Sequence, residues 1–305
     1  MNANDTYDVL IVGGGPAGLS AALVLGRCRR RVLVCDTGEQ RNRWARNMHN
    51  FLSRDGMPPK EFLDAAQREL TPYDDVARIH AKVMDIEPHD NGFKATLADG
   101  RALHARKLLL ATGVVDHVPK LPGIDVLYGR SVHHRPYCDG WEWRDKRIAA
   151  YGRGDAKGAG LALMLLRWSS DIVLLTNGAH ELSDDELQRL DRHRIAVNDR
   201  PIARLDGDAQ GLLRHVVFDD GTVLDRDAMF FNTGQHQHDV LAKKLGCRFT
   251  ERGGVQADHV ETGIPGLYVA GDATRDVQFV IVAASEGAQA GVAINKALMT
   301  EEGLC

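Results

Sequence analysis

The chain has no excess of basic residues: 38 Lys and Arg stand against 42 Asp and Glu, for a formal net charge of −4. That balance removes the electrostatic basis for binding nucleic acid, which rests on neutralising phosphates. No run of about 18 apolar residues occurs, so no membrane-spanning helix is expected. Met1-Asn2-Ala3-Asn4-Asp5 has neither the basic start nor the apolar core of a secretory leader, and a cytoplasmic location is expected. Cysteine is scarce: Cys28, Cys35, Cys138, Cys247 and Cys305 are odd in number, far apart and nowhere spaced C-x-x-C. That spacing argues against a disulfide framework or a zinc site and fits a reducing compartment. Gln235-His236-Gln237-His238 offers two imidazoles but no third ligand, so no metal is expected.

What is present starts with length: 305 residues, 44% of them hydrophobic, are enough for two domains with their own cores. The apolar run Val9-Leu10-Ile11-Val12 leads into Gly13-Gly14-Gly15-Pro16-Ala17-Gly18 and then a helix-forming stretch, Leu19–Leu25. Gly13, Gly15 and Gly18 fit G-x-G-x-x-G. The first permits the tight turn, the second lets a pyrophosphate reach the backbone, and the third lets helix and strand pack closely. The helix N-terminus adds free N–H groups and a partial positive charge. A second strand, Arg31–Cys35, ends in Asp36, placed to accept from an adenosine ribose hydroxyl. Arg27, Arg29, Arg30 and Arg31 read as the solvated end of the first helix.

Residues 37–50 are polar, basic and too long for a tight connection, and should wrap a ligand or the surface. Asp99-Gly100 signals a hairpin, and the buried strand Lys107–Ala111 ends in Ala111-Thr112-Gly113. A second βαβ unit runs from Arg147–Tyr151 through Gly152-Arg153-Gly154 to a helix over Gly158–Trp168 and a strand over Ile172–Thr176. Gly266–Ala270 leads to Gly271-Asp272 and a long small-residue helix over Val277–Leu298. The expected fold is α/β with two dinucleotide-binding, Rossmann-like three-layer domains, the second inserted into the first. Residues 1–115 and 240–305 would form one, and 116–239 the other.

The order and spacing of Gly13–Gly18, Ala111-Thr112-Gly113, Gly152–Gly154 and Ala270-Gly271-Asp272 resemble the low-molecular-weight thioredoxin reductases, class II pyridine nucleotide–disulfide oxidoreductases. Pro136-Tyr137-Cys138-Asp139-Gly140-Trp141-Glu142 looks closest to a branch that includes the gliotoxin-type dithiol oxidases. The resemblance implies a homodimer and an FAD domain built from both ends of the chain. It implies that Gly13, Gly15, Gly18 and Asp36 hold the ADP half of FAD, with Thr112 and Gly113 near the flavin–adenine junction. Gly271 and Asp272 would take the ribityl chain, and Gln278 would start a last helix whose N-terminus points at the flavin.

In that family the pattern is C-x-x-C-[DH]-G, and here Arg135 stands where the first cysteine belongs. Dithiol exchange needs an attacking and a resolving thiol, so the reduction of thioredoxin is not expected. Cys138 corresponds to the flavin-facing cysteine. It acts as a redox modulator, with Arg135, His133 and His134 to lower its thiol pKa, or packs there without a chemical role. Asp139 is a candidate proton donor. Cys305 offers a second thiol at the chain end, and Cys28, Cys35 and Cys247 are expected to pack as small apolar residues.

Gly152 and Gly154 form the nicotinamide-type turn, but Lys157 occupies the third position. Thr176-Asn177-Gly178 brings neither the acid that NAD favours nor the arginine that NADP favours. Lys157 and Arg153 are the cations nearest a phosphate there. Use of NAD(P)H is therefore left open. The expected function is an FAD-dependent oxidoreductase passing electrons to or from a small molecule or oxygen. The alternatives are a non-catalytic, redox-sensing flavin binder and a thiol oxidase pairing Cys138 with Cys305.

Overall fold

The computed structural model describes residues 6–152, 154–274 and 277–304. Arg153 and Cys305 lie outside the described residues. The chain divides into two compact units. The first runs to Arg43, resumes over Asn50–Val115 and takes up the chain again from His236; the second holds Trp44–His49 and Asp116–Gln235. The short segment Trp44–His49 belongs with the second unit for two reasons. The Trp44 carbonyl closes on Gly129, where a Cβ would come within 2.3 Å of the oxygen. Arg46 Nη2 donates to the Gln210 carbonyl at 2.9 Å.

In the first unit, β1 (Thr6–Val12), α1 (Pro16–Arg27) and β2 (Val32–Asp36) form the expected strand–helix–strand. β1 pairs in parallel with β2 on one side and with Ala102–Leu110 on the other. Val76–His80 extends the sheet beyond β2, and Leu267–Val269 joins it along Leu108–Leu110. Parallel strands covered on both faces are apolar throughout, and successive side chains still divide between the faces. Val9 and Ile11 meet α1 and the last helix, while Leu10 and Val12 meet Phe93, Leu97 and Leu241 on the opposite side. Gly92–Leu97 pairs antiparallel with Ala102–Leu110, and Gly100, at φ +84°, makes the turn that Asp99-Gly100 announces.

The last helix covers Val280–Glu301, three residues later at each end than expected. Phe279 is extended, at φ −102° and ψ 153°, which delays the start. At the far end Glu301 and Glu302 are held by cations. Arg106 reaches both, Arg30 reaches Glu302 at 2.6 Å, and buried Lys107 pairs with Glu301. Arg30, expected in solvent, is thus tied to the last helix. That helix seats on α1 through glycine: a Cβ on Gly287 would lie 2.0 Å from the Ala17 carbonyl oxygen, and one on Gly291 2.9 Å from Val24 Cβ.

The second unit has a five-stranded parallel sheet in the order Val132–His133, Ala228–Phe231, Ile148–Tyr151, Ile172–Leu175 and Ala196–Asn198. A three-stranded antiparallel meander over residues 202–225 covers part of its core. The helix after Ile148–Tyr151 spans Ala156–Leu165 rather than 158–168. The Asp155 carboxylate accepts the Gly158 N–H at 3.0 Å, and that cap starts the helix earlier.

Hydrogen bonds from Arg30 and then Arg106 hold the Glu302 carboxyl at about 2, against an ordinary 4.5. A carboxyl lowered by folding stabilises the fold at pH values above its unfolded value and loses that contribution as pH falls toward its folded value. The melting temperature of Glu302→Gln should therefore lie below wild type above pH 4.5, with the gap shrinking below that and closing near pH 2. Melts across that range check this.

Candidate functional site

The turn between β1 and α1 takes its shape from contacts that only glycine permits. Gly13 has φ +110°, and a Cβ on it would lie 2.2 Å from the Ala111 carbonyl oxygen. A Cβ on Gly18 would lie 1.9 Å from the Gly13 oxygen. Gly15 differs: nothing of the protein lies within 4 Å of where its Cβ would be. It is the N-cap of α1, with no side-chain cap and no acid in the first turn. Open space, uncapped amides and a helix N-terminus together suit an anionic group. The residues present fit the pyrophosphate of a dinucleotide.

Asp36 closes β2 beside this turn. Its Oδ1 accepts the Gly14 N–H at 3.1 Å and its Oδ2 accepts the Gln40 amide at 3.3 Å. A carboxylate has about four acceptor sites, so both oxygens keep capacity for a ribose hydroxyl. A cavity of about 250 Å³ opens beside the strand end, lined by Thr37, His80, Lys82 and Asp99 among others. Thr112 and Gly113 follow Ala102–Leu110 half-buried, and Gly113 has φ +69° with open space at its Cβ position.

Asp272 and Gln278 meet on a residue that sequence reasoning did not assign. Arg41 Nη1 donates to Asp272 Oδ2 at 2.9 Å and to Gln278 Oε1 at 2.6 Å. Gln278 is buried but does not start the last helix; it lies two residues ahead of it. Glu286, nearly two turns into that helix, accepts the Gly271 N–H at 2.6 Å. The only sequence signal for Arg41 was the unusual length and basicity of residues 37–50. The backbone N–H of His238 donates to the Gly113 carbonyl, and the Gln237 side chain between the two histidines bonds the carbonyls of Gly253 and Ala273.

In the second unit, close packing of helix on strand is done by Gly158, not by position 157. A Cβ on Gly152 would lie 2.4 Å from Gly158 Cα. The interval Gly152–Gly158 is one residue longer than Gly13–Gly18. Gly154 has φ +69° and lies against His180, whose following residue donates its N–H to the Gly154 carbonyl at 2.8 Å. Asn177 is spent on structure, accepting the Ile202 N–H at 2.6 Å. The Asp155 carboxylate caps the helix where Gly15 leaves α1 open.

Cys138 sits half-buried in a four-residue helical turn, Pro136–Asp139, in the second unit. Arg135 precedes it as an extended residue whose carbonyl accepts the N–H groups of Cys138 and Asp139. Asp139 Oδ1 lies 3.3 Å from His133 Nδ1. Burial works to raise the Asp139 carboxyl, but His133, His134 and His49 hold it below the usual carboxylate range. Cys35 and Cys247 are buried as expected, and burial pushes the Cys35 thiol up to about 12. Cys28 instead is exposed at the end of α1.

The family described as pyridine nucleotide-disulphide oxidoreductase matches residues 7–287. The chain is 30% identical over 303 residues to a probable thioredoxin reductase of Arthroderma benhamiae, covering 88% of this chain and 74% of that one. It is 29% identical over 311 residues to thioredoxin reductase aclD of Aspergillus oryzae, covering 97% and 98%. Among solved structures, a putative thioredoxin reductase TrxB from Bacillus anthracis aligns at TM-score 0.90 and 33% identity, covering 97% and 99%. HlmI aligns at TM-score 0.93 and 32% identity, covering 99% and 95%.

Two alanine substitutions separate fold from ligand at the first turn. Gly18→Ala should lower stability by about 1–3 kcal/mol through overpacking. Gly15→Ala should melt with wild type, since its φ of −77° suits alanine and its Cβ meets nothing. It should nonetheless weaken FAD by about tenfold or more, because hydrogen bonds to charged groups are worth about 1.5–3 kcal/mol. Thermal melts and flavin-fluorescence titration read the two effects.

Proposed function

The chain belongs to the pyridine nucleotide-disulphide oxidoreductases, and from that premise we propose an FAD-dependent oxidoreductase of thioredoxin reductase-like build that works without an active-site dithiol. As a member of that family it is a flavin-dependent oxidoreductase; what it oxidises or reduces is the reading offered here. FAD, when bound, supplies two-electron chemistry to a small molecule or to oxygen. Gly13, Gly15 and Gly18 would cradle its pyrophosphate at the α1 N-terminus, and Asp36 would accept from the adenosine ribose. Gly113 leaves room for close approach, while Gly271, fixed by Glu286, and Asp272 and Gln278, oriented through Arg41, would hold the remainder. The uncapped last helix, starting just after Gln278, brings a positive terminus to the same unit.

One observation carries the absence of dithiol exchange: position 135 is Arg, and Cys138 is the only cysteine in the turn it occupies. With one thiol there, no disulfide forms within the motif, and the electron pair cannot be stored on it. The inserted unit supports the further reading that a nicotinamide is a poor donor. Asp155 occupies the helix cap with a negative charge, and neither an acid nor an arginine follows the strand Ile172–Leu175. The substrate is then a small molecule that meets the flavin directly.

Anaerobic mixing tests this. The purified protein should carry FAD at about one per chain, and NADH and NADPH should bleach its absorbance far more slowly than they bleach a dithiol-bearing reductase. Oxidised thioredoxin should not re-oxidise the reduced protein. Fast bleaching by either nicotinamide overturns the reading of the inserted unit, and turnover of thioredoxin overturns the whole.

A further inference from the structure

Three side chains in the second unit form a chain of hydrogen bonds that the reading above does not use. Trp143 Nε1 donates to His133 Nε2 at 3.0 Å, and His133 Nδ1 faces Asp139 Oδ1 at 3.3 Å. An indole N–H is only a donor, so it claims the Nε2 lone pair. The ring proton then sits on Nδ1 and points at the Asp139 carboxylate. Adding a second proton to His133 would set two N–H donors against each other at the Trp143 contact. The imidazole is 6% exposed and lies against the Phe230 ring, centroids 5.3 Å apart, so it has little freedom to turn away.

We propose that Trp143 and His133 are positioning residues that fix Asp139 as a hydrogen-bonded carboxylate in the Cys138 turn, a proton acceptor in place of the proton donor its position suggests. The inference rests on the reading of Cys138 as the thiol of a flavoenzyme, but its geometry lies wholly within the second unit. The other titratable groups facing Asp139 are His134 and His49. His134 Nε2 lies 3.3 Å from Asp116 and its Nδ1 3.2 Å from the Tyr128 hydroxyl, while His49 lies 3.5 Å from Glu142. Each of those imidazoles has its own carboxylate. His133 is the one whose partner on the far side is a donor that refuses a second proton. The hydrogen bond from His133, which needs no charge on the imidazole, is one of the causes that hold the Asp139 carboxyl low against burial.

The arrangement has a consequence for Cys138. With His133 neutral, the pair carries one negative charge beside the thiol, which disfavours the thiolate. Freeing Nε2 should let His133 become cationic as pH falls and reverse that bias.

The test uses the purified full-length protein with histidine labelled in nitrogen. In wild type, the His133 resonances should report the Nδ1–H tautomer between about pH 6 and 8. In Trp143→Phe they should move to the doubly protonated form as pH falls through that range. Alkylation of Cys138 by iodoacetamide, followed on its own peptide by mass spectrometry, should then be about fivefold faster in Trp143→Phe at about pH 6.5, equivalent to about 1 kcal/mol. The double variant Trp143→Phe/His133→Asn keeps an N–H toward Asp139 but cannot titrate, and should return the rate to that of wild type. An Nε2–H or cationic His133 in wild type at pH 7 overturns the proposal. So does a double variant as fast as Trp143→Phe, which would mean that loss of the indole merely loosens the turn. Neither readout depends on turnover, so a failed flavin assay and a failed hydrogen-bond chain are told apart.

Discussion

The Gly13 carbonyl oxygen lies where a side chain at Gly18 would begin, and the first unit is arranged by that close approach. Because α1 presses on the end of β1, its first-turn amides face the space beside Gly15 rather than solvent at the flank of the sheet. Because α1 is so close to the strand, its other face can take a second helix at equal intimacy, and Gly287 and Gly291 supply the matching absence of side chain. The last helix therefore arrives beside the first turn, more than 260 residues later in the chain, with Glu286 fixing Gly271 and Gln278 just ahead of its start. Arg41 then spans Asp272 and Gln278. One glycine contact thus links the two ends of the chain into a single candidate site.

What could be read from the sequence follows the range of the interactions. Gly13, Gly15, Gly18 and Asp36 were legible because a local turn demands glycine at fixed offsets and a strand carries the acid to the turn. The hairpin at Asp99-Gly100 was legible for the same reason. Arg41 was not, since its partners lie 231 and 237 residues away and only folding brings them together. The limits of the last helix were missed at both ends, for different reasons. An extended Phe279 delays the start, and charge pairs with Arg30, Arg106 and Lys107 hold the polar end that helix-forming tendency alone would let fray. Trp44–His49 was also out of reach, because its partners, Gly129, Glu142 and the Gln210 carbonyl, lie about 80 to 165 residues further on and only folding brings them together. In the second unit the glycine spacing was visible, but which residue makes the helix–strand contact was not. Gly158 takes that role because the turn is one residue longer than its counterpart.

The turn that holds Cys138 shows why likeness of fold leaves the chemistry open. Arg135 has φ −138° and ψ 99°, an extended conformation open to any residue but glycine's special needs. What the turn takes from position 135 is its carbonyl oxygen, which accepts from Cys138 and Asp139 whatever the side chain. Through its backbone the turn therefore sets no requirement on the side chain at position 135. The neighbouring positions behave in the opposite way. Pro136 starts the turn, Gly140 lies against the Trp168 ring where a Cβ would come within 2.8 Å, and His133 is enclosed between Trp143, Phe230 and Asp139. The turn therefore constrains the residues around Asp139 through their side chains and position 135 through its backbone alone. Likeness of fold over this stretch fixes the backbone and leaves the redox chemistry to the side chains that the backbone carries.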